Sequence, residues 1–428
     1  MSIPYYRWPF LPVTALPPEQ ADVWWQECFV PLPAMQMWQG TAPAMAAVGG
    51  AGSGKSTAVA WLRRTLDPNA LSISYETEQW NRLTQLGMAK PGGTLLEQLL
   101  SLTSLEIIRR LDEQPDRAKP LCHNPFAAEF LTWLLDKHLD RRTFLRFRHR
   151  LAQTVGKPNL LPEKTDLQLA YNGATLAELL ETVQGLGFNQ LVLFLDLDER
   201  WAEVNRSDLI LLFQAIPLLE QRGLLIRAAL PESSLDKGDL AVRAAGRLQL
   251  ARLYFDEAAC QEIVQRCLRA ATDGSFDSLE MLANTAVLQQ AKAEIEKLYG
   301  EQALAGWLHW ADTLLAVYDG NPLKEVDEAV YQYYARHVPL RLASDQHGVW
   351  RGPQFVPLQE RPFDLLKTLF ELNGRPSPDK LILMANNSGD ALNKLASRLY
   401  EALEPLKKRR VYIQNNRVSG YWLENFIP

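Results

Sequence analysis

The run Gly49-Gly-Ala-Gly-Ser-Gly-Lys-Ser-Thr57 constrains this chain more than any other stretch. Its spacing is G-x-x-x-x-G-K-[ST] in full. Where side chains are absent or small, backbone N–H groups can wrap a polyanion, and glycine reaches backbone angles closed to other residues. The apolar residues 45–48 before the run read as a short buried strand, and residues 56–66 after it read as a helix. A bend between such elements delivers phosphates to a helix N-terminus, where unpaired N–H groups and the helix dipole favour negative charge. Gly49, Gly50, Ala51, Gly52, Ser53, Gly54, Lys55, Ser56 and Thr57 are therefore expected to bind a nucleoside triphosphate. Lys55 would reach the β- and γ-phosphates as a point charge, and Ser56 would offer its hydroxyl to Mg²⁺.

A second element has the form that such a loop requires. Leu191-Val-Leu-Phe-Leu195 is a continuous apolar run, as in a strand buried on both faces, and it ends in Asp196-Leu-Asp198-Glu199. A carboxylate at the C-terminal edge of an open α/β sheet stands where ligands bind. Two registers are open. Asp196 is the Mg²⁺ acid with Glu199, or else Asp198, as the base that orients water, or Asp198-Glu199 is itself the acid–base pair. The first is preferred. ATP is preferred over GTP because no N-K-x-D guanine-reading motif occurs, Asn393-Lys394 supplying only its first two letters.

The rest of the chain predicts an α/β protein. Strands are expected at 71–75, 191–195, 224–230 and 248–255, and helices at 56–66, 207–215 and 257–271, with mostly helical sequence over 94–152. Alternation of this kind implies a parallel, doubly wound sheet. Residues 1–41 are rich in proline and aromatics and read as an extended arm with one short helix near 19–28, packed across the next domain or docking a partner. Residues 42–255 read as the nucleotide-binding core, 256–338 as helical throughout, and 339–428 as a further domain.

Composition narrows the class. Of 428 residues, 47% are hydrophobic and 22% charged, with a net charge of −5, which suits ordinary globular domains and not a disordered chain. No run approaches the ~20 apolar residues that span a bilayer, and prolines interrupt the first ten residues, where a signal peptide would need an apolar helix. No membrane partner and a cytoplasmic location are expected. Four cysteines in such a length make no disulfide framework, and Cys260 and Cys267, a heptad apart, read as core.

Residues 42–337 resemble the AAA+ and STAND-type ATPases. The resemblance rests on the phosphate loop, the acidic strand end, and Leu224-Leu-Ile-Arg-Ala-Ala-Leu-Pro231. It rests also on residues 253–266, which look like the entry to that family's helical lid, and on Gly320-Asn-Pro-Leu323, which looks like its G-N-P-R motif. It implies an ATPase using ATP and Mg²⁺, a lid that closes on nucleotide, and a homo-oligomer. The chain departs from the pattern in three places. Leu197 separates Asp196 from the next acid, Ala228, Ala229 and Leu230 stand where a polar γ-phosphate sensor is usual, and Leu323, followed by Lys324, replaces the lid arginine. These departures imply slow hydrolysis. Arg200, Arg206 and Arg243 are candidates for a charge-stabilising finger across a subunit contact.

Residues 349–423 resemble the winged-helix domain of OmpR-type response regulators. The matching pieces are Phe355-Val-Pro-Leu358, Glu360-x-x-Phe363-x-Leu-Leu366, Gly374-Arg-Pro, Ser397-Arg-Leu399, Tyr412-Ile413 and Arg417-Val-Ser-Gly-Tyr-Trp-Leu423. The resemblance implies double-stranded DNA as partner, with the helix at about 390–403 in the major groove and a wing on the backbone. Lys394, Arg398, Lys407, Lys408, Arg409, Arg410 and Arg417 are the candidate contacts. Residues 341–428 carry a net +4 against −9 for the remainder, a basic end on an acidic body. Tyr400, Glu401 and Ala402 follow Arg398-Leu399 where the family usually has basic residues, which weakens the DNA expectation. Three functions are open. The first is an ATP-driven switch acting on DNA. The second is a nucleotide-gated scaffold with weak ATPase, whose winged helix and arm bind proteins. The third is a replication-initiator-like loader.

Overall fold

In the computed structural model, fourteen α-helices and eleven strands are named among the described residues. The structure describes every residue except 1–3, 77–93, 171, 198–222, 233–247, 254, 301–303, 344–345, 386–387 and 417. In chain order these are α1 (Pro18–Glu27), α2 (Pro33–Met37), β1 (Ala44–Gly49), α3 (Lys55–Thr65), β2 (Ala70–Glu76), α4 (Leu95–Glu113), α5 (Pro125–His138), α6 (Arg141–Val155), α7 (Gly173–Gly185), β3 (Gln190–Asp196), β4 (Leu224–Pro231) and β5 (Leu248–Arg252). There follow α8 (Glu257–Ala271), α9 (Thr285–Tyr299), α10 (Leu304–Val317), α11 (Val326–His337), β6 (Leu340–Ala343), β7 (Gly348–Arg351), β8 (Gln354–Pro357), α12 (Glu360–Glu371), α13 (Pro378–Met384), α14 (Gly389–Leu403), β9 (Ile413–Asn416), β10 (Gly420–Leu423) and β11 (Phe426–Ile427).

The chain forms two units. One comprises Pro31–Gly50 and Gly54–Tyr254, the other Met1–Val30, Ala51–Ser53 and Phe255–Pro428. The first is built on a five-stranded, all-parallel sheet of order β2-β3-β4-β1-β5. The inner strands β1 and β3 are apolar without alternation because both faces are covered: all six residues of β1 are buried, as are Leu191–Leu195 of β3. Helix α3 packs on β4, β3 and β1, and α4 packs on β2. The sheet, α4, α5, α6 and α7 share one core that contains Leu71, Ile73, Leu131, Phe144, Leu179 and Leu193. Helix starts follow local chemistry: Thr94 and Glu97 form a reciprocal capping box, and Asp140 and Asn172 accept from the first turns of α6 and α7.

The order of the strands locates the crevice. The chain leaves β1 toward β2 at one edge, and leaves β4 toward β5 at the other. β1 and β4 are adjacent strands with opposite exits, the switch point where ligands bind in open parallel sheets.

The second unit holds α1, helices α8–α14 and small sheets. Asp256 caps α8 by accepting from Ala259 N–H at 2.7 Å, as its position before Glu257 predicts. β6, β7, β8 and β11 form a four-stranded sheet, and β9 and β10 an antiparallel hairpin. Residues 31–41 of the expected arm pack on the adjoining sheet unit, through α2 on β5, whereas residues 4–30 pack on α8 and α10. Tyr6 N–H donates to Ala271 O at 2.8 Å, and Arg266 Nη1 to Phe29 O at 3.2 Å. The Asp312 carboxylate, fully buried on α10, meets Tyr5 Oη, Arg7 Nε at 3.5 Å and His337 Nε2 at 2.9 Å. Burial alone would push this carboxyl up, but these partners outweigh it and hold it low. Cys260 and Cys267 are buried as expected, and Cys28 of the arm is buried with them. Contact with Cys28 and burial push the Cys267 thiol well up.

Candidate functional site

The site begins at the C-terminal end of β1. Val48 and Gly49 pair with Leu230 and Pro231 of β4, and Val48 also with Arg252 of β5. The loop is thus rooted in the strand next to the sheet's edge strand, at the switch point. Gly52 and Gly54 have φ of +73° and +77°, the left-handed region that costs other residues roughly 1–2 kcal/mol. A Cβ on Gly52 would also lie 2.9 Å from Ala305 Cβ, closer than such atoms sit, and 3.0 Å from Tyr299 Cδ1, a tight contact, and Ala305 N–H donates to Gly52 O at 3.2 Å. Gly54 is the N-cap of α3 and provides no side-chain cap to its first turn. The N-cap position thus supplies no side-chain acceptor to the first turn of α3, the arrangement that suits an anion.

Lys55 lies at the first position of α3. Its Nζ donates to Gly49 O at 2.8 Å and to Gly50 O at 2.7 Å, which holds the ammonium over the loop. Ser56 is exposed, and Ala51, Gly52, Ser53, Gly54 and Thr57 are partly buried. Ser53 Oγ is buried and has no hydrogen-bond partner among the described residues, an orphaned hydroxyl within the bend. Left-handed glycines, an uncapped helix start, a held ammonium and an orphaned donor all fit a phosphate chain.

Asp196 ends β3, opposite Ala229 of β4 and Glu76 of β2. One strand, β4, stands between it and β1, so two strand spacings, about 10 Å, separate Asp196's strand from the strand that carries the loop. The sheet brings Asp196 to the same C-terminal edge as Gly49, half-buried, with Leu197 N–H still paired to Ala229 O at 3.1 Å. Asp198, Glu199, Arg200, Arg206 and Arg243 lie outside the described residues, as does the helix expected at 207–215.

Ala228, Ala229 and Leu230 of β4 are fully buried and offer no polar group to a ligand. The polar residue at this strand's tip is Glu232, exposed and 3.9 Å from Arg252 at the end of β5. It follows the apolar run by two residues, and only the observed strand end at Pro231 reveals its place. Sequence reasoning also missed Arg227. Its buried guanidinium donates to Trp38 O at 2.9 Å, Gly40 O at 2.6 Å and Ala42 O at 2.8 Å, and so ties down the segment that enters β1. Burial lowers its pKa to about 10. One arginine inside an otherwise apolar strand was the available signal.

A cavity of about 940 Å³ lies among α8, α9 and residues 277–280. Glu257, Glu262, Asp277, Glu280 and Glu296 line it against the single Lys292, a charge balance that repels a triphosphate.

In the C-terminal region, α12, α13 and α14 are followed by the β9–β10 hairpin. Lys394 and Arg398 are exposed one turn apart on α14, and Lys407 and Lys408 are exposed before the hairpin. Arg409 is used differently: its Nη1 bonds Glu328 of α11, and its guanidinium lies 3.4 Å from the centroid of the Tyr331 ring. Arg410 stacks over Tyr400 at 3.7 Å. Arg417 lies outside the described residues. Glu404 anchors the hairpin, with one carboxylate accepting from Val411 N–H at 2.6 Å, Ile413 N–H at 2.8 Å and Tyr412 N–H at 3.1 Å.

The chain matches no protein-family model, and no curated protein shows significant sequence similarity to it. No helix among the described residues is long and apolar enough to cross a membrane, and no cluster of three His, Cys, Asp or Glu among them could hold a metal ion.

Proposed function

We propose that this chain binds ATP with Mg²⁺ on residues 49–57 and couples that binding to DNA contact by its C-terminal helices and hairpin. One observation carries the reading. A parallel strand at the sheet's switch point runs through two left-handed glycines into an uncapped helix, with the Lys55 ammonium held over the bend. In this reading the loop N–H groups and Lys55 hold the phosphates, the Ser53 hydroxyl donates to one of them, and Ser56 and Asp196 hold the metal. Bound Mg²⁺ would neutralise charge on the phosphate oxygens. Glu199, or Asp198, would orient the attacking water. The apolar end of β4 supports slow turnover, since it leaves Glu232 as the polar group at that tip. The domain division is 1–41, 42–255, 256–338 and 339–428, and the last of these carries a winged helix presenting Lys394, Arg398, Lys407 and Lys408.

The test is a mobility-shift assay of the full chain on random duplex, with and without Mg·ATP, beside a calorimetric titration with Mg·ATP alone. The reading expects a measurable nucleotide affinity and a duplex affinity that changes when nucleotide is present. Absence of nucleotide binding at millimolar concentration overturns it. A second reading, a nucleotide-gated scaffold whose C-terminal helices bind protein, is favoured by the commitment of Arg409 to Glu328 and Tyr331. Nucleotide binding with no duplex binding up to ~10⁻⁴ M, the weak end of non-specific affinity, decides for the scaffold.

A further inference from the structure

Helix α6 carries a charge pattern that neither the loop nor the C-terminal region accounts for. From residue 141 to 162 the chain has six Lys or Arg and no Asp or Glu, although its net charge is −5. Phe144, Phe147 and Leu151 bury the inner face in the core of the sheet unit. Three of the arginines are occupied. Arg141 Nη1 pairs with Asp136 at 2.5 Å, Arg148 Nε donates to Leu161 O at 2.9 Å, and Arg150 grips Asp112 with Nε at 3.0 Å and Nη2 at 2.5 Å. Arg142, Arg146 and His149 remain on the outer face, all exposed, at successive turns of the helix. Among the described residues, Arg142 and Arg146 have no ion pair or side-chain hydrogen bond, and His149 meets Gln153 at 2.9 Å.

We propose that this face of α6 is a nucleic-acid backbone contact, in which Arg142 and Arg146 each engage a phosphate. An arginine fork binds phosphate oxygens through two parallel hydrogen bonds, and two forks one turn apart follow a backbone. The face does not suit lipid. A helix that lies in a bilayer surface buries its apolar side there, and the apolar side of α6 is already in the protein core. Nor does it suit a protein interface, whose centre needs apolar or aromatic anchors, because Leu145, at 37% exposure, is the large apolar side chain exposed on α6. The contact adds a second, sequence-independent hold on nucleic acid. It shares the nucleic-acid reading above without depending on the C-terminal helices.

The experiment measures binding of full-length protein to labelled random duplex by fluorescence anisotropy across a salt series. Three proteins are compared: wild type, R142Q/R146Q and K394Q/R398Q. Loss of two phosphate contacts is expected to reduce the slope of log K against log salt by about 1.8, at about 0.9 per contact, in R142Q/R146Q. Both positions are exposed, so melting temperatures should match the wild type and a fold defect is excluded directly. A slope equal to wild type in R142Q/R146Q overturns the proposal. A reduced slope there with no change in K394Q/R398Q supports it and overturns the C-terminal DNA contact instead. Wild-type protein that binds no duplex overturns both. Wild-type protein that binds phosphatidylserine vesicles through Arg142 and Arg146, while R142Q/R146Q keeps its duplex slope, assigns the face to lipid and overturns the proposal.

Discussion

In the proposed reading, the loop end of the sheet and the C-terminal helices would offer two different kinds of binding surface. At the loop the working groups are main-chain N–H donors and one ammonium, placed by strand pairing and by two left-handed glycines. At the C-terminal helices they would be long cationic side chains, two of which have other uses within the fold. Arg409 is drawn to Glu328 and Tyr331, and Arg410 to Tyr400, while Lys394, Arg398, Lys407 and Lys408 stay exposed. A main-chain site comes with the backbone geometry. A side-chain site exists only to the extent that the protein leaves its charges unspent.

This contrast can be broken or sharpened by experiment. The largest expected effect is at the loop: Lys55→Ala should weaken Mg·ATP binding more than about 100-fold, close to 2.7 kcal/mol, in a calorimetric titration. A change below about threefold would mean that the main chain alone suffices. Next, Arg227→Ala should cost about 2–3 kcal/mol of stability in urea unfolding, because three carbonyls before β1 lose their donor. Full stability in that variant would show that the entry to β1 holds itself.

The C-terminal side is tested by pairing two variants. Lys394→Ala with Arg398→Ala should lower the salt slope of duplex binding by about 1.8, whereas Arg409→Ala should leave the slope unchanged and cost about 0.5–1 kcal/mol of stability. If Arg409→Ala alters the slope instead, the division between spent and unspent charge is wrong.

The smallest effect concerns pH. Burial, then the neighbouring His337, push His309 down to about 3 from an ordinary 6.5. Its Nδ1 meets Tyr299 Oη at 3.1 Å, and its ring stacks on His337 at 4.4 Å. The folded protein thus keeps His309 neutral, while the unfolded chain protonates it below about pH 6.5. Its contribution is present above pH 6.5 and is lost progressively as pH falls toward 3, by roughly 1–2 kcal/mol between pH 7.5 and 5. Urea midpoints measured across that range should fall, and His309→Gln should flatten the dependence.

Much of the α/β architecture was legible because its inner strands are largely apolar runs bounded by polar or glycine residues. The strand expected at 191–195 occupies 190–196, and that expected at 224–230 occupies 224–231. Helix α8 begins after Asp256, as its cap requires. The strand expected at 248–255 stops at Arg252. Local signals do not report partners far away in sequence. The packing of Tyr5 and Arg7 on Asp312, the three carbonyls held by Arg227, and the capture of Arg409 by Glu328 each join residues more than 80 positions apart. The position of Glu232 depends in the same way on where β4 actually ends.

Strand order also carries a consequence for the growing polypeptide. β1 emerges from the ribosome early, yet its two hydrogen-bonded neighbours are β4 and β5, near residues 224 to 252. Until that stretch has been synthesised, the strand that roots the glycine bend has neither flank. Nascent chains halted before residue 224 should therefore fail to be retained on immobilised nucleotide, and this capacity should arrive late, in one step, as the second flank closes.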